Sequence, residues 1–151
     1  MQKLTYFIDR GNNEYKSFYE YTIPNVGEDE LYARQLCTYL ILKGRQYQLM
    51  SNEMQGEEEI LVLTELGQNE TILDEKYYHD KGLNIEFRRY RKEENYRLIS
   101  TIPCSTHFEV LRYLLKDVVE IPEFGQFFMT STELDEDRSV YVIYVKNLDE
   151  D

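Results

Sequence analysis

Fourteen tyrosines stand in a chain of 151 residues, and the spacing of a few of them is the first sign of chemistry. Tyr15, Tyr19 and Tyr21 are separated by even steps, so an extended strand places them on one face. Tyr32 falls on the apolar stripe of a helical segment. Tyrosine joins an apolar body to a polar tip, which suits a ligand pocket, a protein interface or the rim of a core. Tyr15, Tyr19, Tyr21 and Tyr32 are therefore the candidate ligand- or partner-binding residues.

The other reactive side chains make a weaker case. Cys104 and His107 offer the parts of a nucleophile and base, but nothing in the sequence supplies the third group that orients the base. A histidine in a first helical turn reads as a surface residue. The remaining cysteine and histidine, Cys37 and His79, add no zinc-ligand spacing. Glu53, Glu57, Glu58 and Glu59, and later Glu133, Asp135, Glu136 and Asp137, supply oxygens of the kind calcium and magnesium take. Their order does not match an EF-hand loop, and they read as solvated hairpin turns. Arg88, Arg89, Arg91, Lys92 and Arg97 alternate with Tyr90 and Tyr96, a pattern suited to single-stranded nucleic acid. Glu86, Glu93 and Glu94 interrupt that island, so a charged hairpin is the simpler reading. The seven glycines build no phosphate loop. No catalytic residue, metal or cofactor is expected.

Composition points the same way. Lys and Arg number 17 against 29 Asp and Glu, a net charge of −12. Phosphate binding needs clustered cations, so nucleic acid and anionic membranes are disfavoured as partners. No apolar run is long enough for a signal peptide or a membrane span. Two cysteines without a framework suit a reducing cytoplasm.

The elements that must position these residues are written twice. Tyr21 to Leu36 reads YTIPNVGEDELYARQL, and Ser100 to Leu115 reads STIPCSTHFEVLRYLL. A shift of 79 positions aligns Leu4 with Leu83, Thr22-Ile23-Pro24 with Thr101-Ile102-Pro103, Glu30 with Glu109 and Leu36 with Leu115. Leu31, Tyr32, Leu36, Tyr39 and Leu40 form a helical stripe; Val110, Leu111, Leu114, Leu115, Val118 and Val119 repeat it in phase. Thr106 and Glu109 form a capping box, and Gly27 with Glu30 stands in the same place. Leu4-Tyr6-Ile8 and Leu83-Ile85-Phe87 alternate as strands, with turn chemistry and returning strands after them. Glu59 to Leu66 and Ser139 to Val145 are nearly continuous apolar runs, as in strands covered on both faces.

The expected fold is α+β: an internal duplication of a β-β-α-β-β unit, with two helices packed on an antiparallel sheet about a pseudo-twofold axis. Residues 1–151 form a single domain, with one repeat at 3–66, a linker at 67–81 and the second repeat at 82–148. In that linker Ile72, Leu73, Tyr77 and Tyr78 tack the chain to the surface. The expected function is a cytoplasmic, acidic binding or regulatory domain that docks a protein partner. The alternative is a small-molecule-binding protein, or an enzyme, with its pocket between the repeats.

Overall fold

The computed structural model describes residues 3–22, 27–72 and 74–149. The first half runs β1 (Lys3–Asp9), β2 (Tyr15–Thr22), α1 (Glu28–Gln35), β3 (Tyr39–Leu42), β4 (Arg45–Gln55) and β5 (Glu58–Gln68). The second runs β6 (Leu83–Arg89), a 3-10 turn (Lys92–Glu94), β7 (Leu98–Cys104), α2 (His107–Leu114), β8 (Val118–Ile121), β9 (Gly125–Asp135) and β10 (Val140–Asn147). α2 begins and ends 79 residues after α1. The strand order is β2-β1-β5-β4-β3-β9-β10-β6-β7, with β8 pairing to β9. Each half therefore repeats one arrangement of five strands around one helix.

This corrects the expected fold. The protein is mostly β, 55% strand against 13% helix, on one ten-stranded mixed sheet. β1 pairs parallel with β5, β6 with β10 and β3 with β9, so the sheet is not antiparallel. Alternation in a sequence reveals a strand and its buried face but not the direction of its neighbour.

The unit also has one more strand than expected. The apolar stripes run past the helices: Tyr39 and Leu40 belong to β3, Val118 and Val119 to β8. Each helix is only eight residues long. Its phase continues by coincidence into a short strand of aromatic and β-branched residues. The turn after β3 reveals the difference. Lys43 and Gly44 both have positive φ, 52° and 75°, as a two-residue hairpin loop requires. Leu36 and Leu115 consequently cap the helices instead of sitting mid-stripe, and Leu115 is 64% exposed. The buried pair is Leu31 and Val110, both wholly enclosed where α1 meets α2.

The helix starts follow the sequence more closely. Thr106 is the N-cap of α2, its hydroxyl accepting from the Glu109 N–H at 3.4 Å. Glu109 reaches back to the Ser105 N–H at 2.7 Å, one residue earlier than the usual box. Gly27 caps α1 with no side chain. Ile23 and Pro24, central to the repeated phrase, and Leu73 in the linker lie outside the described residues.

One apolar core takes side chains from both halves, including Leu4, Tyr6, Leu31, Phe87, Val110 and Ile143. Contacts that join the halves include α1 on α2, β3 beside β9, and a clasp at the β3–β4 tip. In the clasp, the Asp137 carboxylate accepts the N–H groups of Lys43 and Gly44, each at 2.7 Å. The opposite face of the sheet has its own cover. The segment between β5 and β6 crosses it, held by Tyr78 N–H to the Arg138 carbonyl at 2.8 Å and by His79 to the Asp137 carbonyl at 2.7 Å. Tyr78 is buried against Val140 and Val142, while Tyr77 is exposed. No helix among the described residues is long and apolar enough to cross a membrane.

Candidate functional site

Beneath that crossing segment, polar side chains occupy positions that alternate with the core. On β6, Ile85 and Phe87 point into the core, which turns Glu86 and Arg88 to the other face. On β9, Leu134 is in the core, which turns Glu133 and Asp135 outward. An ordinary surface would leave all four in water. Here the crossing segment buries them.

Most of this group is tightly paired. Arg138, in the β9–β10 turn, holds Glu86 by two parallel bonds, Nη1 to Oε2 at 2.8 Å and Nη2 to Oε1 at 3.0 Å. Its Nε donates to Asp135 at 2.8 Å, and its Nη1 also reaches the Lys76 carbonyl at 3.0 Å. Arg88 donates to Glu86 at 2.9 Å and to Asp74 at 2.9 Å. The Tyr78 hydroxyl completes Glu86 at 2.8 Å. Burial alone would raise the Glu86 pKa, but the bonds from Arg138 and Arg88 outweigh it and leave the carboxyl below its ordinary value. Burial likewise pulls Arg138 down, and its contacts with Glu86 and Asp135 more than restore it. This is a network of charge-assisted bonds in which only the Arg88 Nη2 is left without a hydrogen-bond partner among the described residues.

Glu133 is different. It is only 7% exposed, yet no hydrogen bond or ion pair to it occurs among the described residues. Burial, and then the neighbouring Asp135 carboxylate, push its pKa up to about 8, against the pull of Arg138. It therefore holds or releases a proton close to neutrality.

Glu133 lines a cleft of about 640 Å³. Its floor is Glu133, Asp135 and Arg138, and residues 68–72 and Glu75 form its roof. Tyr39, on β3 and in register with Glu133, supplies one wall. Tyr90, Tyr96 and Tyr144 supply another, packed together with ring centroids 5.8, 6.1 and 5.9 Å apart. Tyr39, Gln46 and Leu66 come from the first half and the rest of floor and wall from the second, so the cleft lies across their junction. That volume is in the range of small-molecule sites, and its lining sets four tyrosine rings among many polar and charged side chains.

None of the four tyrosines expected from the sequence lines this cleft. Tyr15 and Tyr19 are on β2, both exposed, and do not share a face. Tyr19 stands opposite Tyr6 and Tyr15 opposite Asp9, with a bulge between them at Phe18 that reverses the alternation. Tyr19 and Tyr21 do pack together, at 4.8 Å, over Tyr6. Tyr21 also lies under the Arg34 guanidinium, 4.0 Å from its ring centre, and donates its hydroxyl to Glu136 at 3.2 Å. Arg34 is bonded in turn to Glu30 and Glu136, so this cluster ties α1 to the β9–β10 turn. Tyr32, on α1, is exposed.

The other sequence candidates are absorbed by structure. In the basic island Arg88 is wholly buried, and Glu94 lies within 4 Å of Arg89, Arg91 and Arg97. His107 faces Glu30 across the helix contact, 3.8 Å away, and burial pushes the Cys104 thiol up to about 11. Among the acidic turn residues, Glu58 pairs with Lys3 at 2.9 Å and Asp137 makes the clasp.

The sequence does not single out Arg138 and Tyr144, while Glu133 and Asp135 read there as part of a solvated turn and Tyr39 as part of a helix. One signal pointed to them. The β10 run VYVIYV is apolar on both faces, so its neighbours β6 and β9 must also be covered on both. No protein-family model matches the chain, and no curated protein or solved structure matches it.

Proposed function

We propose that this chain is a binding protein for a small organic molecule, taken up in the cleft between its two halves. The observation that carries this reading is Glu133, more than nine-tenths buried and with no hydrogen bond or ion pair among the described residues, its carboxyl facing a cavity of about 640 Å³. A buried polar group left unpaired costs free energy, so proteins retain one where something else completes it. The roof supports the same reading. Residues 68–72 rest over the cleft with few bonds of their own, such as Asn69 N–H to the Gly44 carbonyl at 2.8 Å. Beyond them Tyr78, His79 and Asp74 anchor the chain firmly.

The acidic balance behind the expected protein partner is compatible with either reading, and the geometry favours the cleft. Cytoplasmic residence belongs to this proposal too, supported by two cysteines that stand as separate thiols.

The test is a fragment screen read by amide chemical shifts on the labelled chain. Binding in the cleft should move the amides of residues 39, 68–72, 90–96 and 131–138 together. A screen in which no fragment moves that set would defeat the proposal.

A further inference from the structure

Resting on the reading of this cleft as a small-molecule site, we propose that its ligand is an organic ammonium, whose charged nitrogen bonds the Glu133 carboxylate while its apolar body lies against Tyr39, Tyr96 and Tyr144. Three independent features support a cation. The first is Glu133 itself, more than nine-tenths buried, lining the cleft and without a hydrogen bond or ion pair among the described residues. The second is the charge of its surroundings. Among the charged residues that line the cleft, Glu70, Glu75, Glu133 and Asp135 outnumber Lys92 and Arg138. One positive charge on the ligand relieves that surplus. The third is the ring wall, because the faces of tyrosine rings carry negative potential and attract cations.

The same features choose among cations. No group of three or more metal-ligating side chains occurs among the described residues, and calcium or magnesium takes six or more oxygens. Guanidinium-sized charge density is already supplied by Arg138. A single carboxylate beside aromatic walls suits one compact charged head on an apolar body. The roof of residues 68–72 and Glu75 favours a free small molecule over a side chain presented by a protein.

Binding also has a proton balance. Near pH 7 the Glu133 carboxyl is protonated, and an arriving ammonium needs the carboxylate. The carboxyl therefore gives its proton to the solvent as the ion pair forms. The groups facing it are Asp135 on the same strand, Arg138 in the following turn, Glu75 from the roof, Glu86 on β6, Tyr144 on β10 and Tyr39 on β3. Asp135, Glu75 and Glu86 hold the proton on, and Arg138 opposes them.

Calorimetry with the intact chain tests this, using 2-phenylethylammonium, 2-phenylethanol and phenylacetate as probes at pH 7. The ammonium should bind at least about tenfold more tightly than the alcohol, with phenylacetate weakest. The number of protons released, read from buffers of different ionisation enthalpy, should be about one at pH 7 and well below one at pH 9. Glu133→Gln should bind the ammonium and the alcohol alike and release no proton. Because glutamine keeps the size and polarity of the neutral carboxyl it replaces, that variant should fold, and its melting transition verifies this. Equal binding of ammonium and alcohol by the parent, or an undiminished preference in Glu133→Gln, overturns the inference while leaving the cleft a binding site. A lysine peptide binding far more tightly than the free amine also overturns it, as does occupancy by magnesium alone. Failure of all three probes, together with an empty fragment screen, removes the binding reading as well.

Discussion

Arg138, in the β9–β10 turn, grips Glu86, midway along β6, through two parallel hydrogen bonds 2.8 and 3.0 Å long, and both residues are buried. Such a pair owes its worth to completeness. Removing either partner leaves the other charged and enclosed, so Arg138→Met or Glu86→Leu alone should cost about 3–5 kcal/mol. Glu86→Leu with Arg138→Met should cost much less than the sum of the two. A double-mutant cycle by denaturant unfolding measures the difference.

Leu31 on α1 and Val110 on α2 are the wholly buried residues of the two packed helices at corresponding positions. Both are wholly buried, so Leu31→Ala should cost about 2–5 kcal/mol. Val110→Ala loses fewer methyl groups and should cost less. Leu115→Ala should fall within about 0.5 kcal/mol of the parent, because its side chain is already in water. Urea midpoints on the three variants check the order.

Glu133 makes stability depend on pH in an unusual direction. Its folded pKa is near 8 against an ordinary 4.5, so between those values the folded state holds a proton that the unfolded state has lost. Stability from this residue therefore falls as pH rises through that window, by up to about 1.4 kcal/mol per unit. Asp135, also raised by burial, acts in the same sense. Glu133→Gln should match the parent near pH 4.5 and exceed it increasingly towards pH 8. Unfolding measured across pH 5 to about 9 shows whether the two curves diverge.

The thiols should be slow to react. Burial raises the Cys37 pKa far above its ordinary value, and Cys104 is pushed up to about 11 by partial burial and then by Glu109. Little thiolate exists at pH 8 in either. Under native conditions Cys104 should be alkylated slowly and Cys37 only on unfolding, as mass spectrometry of timed samples would show.

Much of the secondary structure was legible in the sequence, and the reasons it stopped there are specific. Alternation found β1 and β6, turn chemistry found the hairpins that follow them, and Thr106 with Glu109 found the start of α2. The helix ends were hidden because Tyr39-Leu40 and Val118-Val119 extend a helical phase into strands. Parallel pairing was hidden because nothing in a strand's own pattern names its neighbour's direction. At Phe18 one bulged residue turned Tyr15 away from Tyr19. The cleft was hidden for a different reason. Glu133 and Asp135 alternate with Leu134 as surface residues do, and only the segment crossing above them makes them interior.

That crossing segment occurs once, in a molecule whose strands and helices all occur in pairs. The sheet is held across its middle by β3 and β9, and the helices by each other, none of which requires the chain to be continuous between β5 and β6. Connectivity and fold are thus separable here, but connectivity and cleft are not. A circular permutant with new termini between residues 68 and 72 keeps every paired element and frees one side of the roof. The cleft is covered by a stretch of chain that has no counterpart among the described residues, so the proposed ligand should bind at one site per chain.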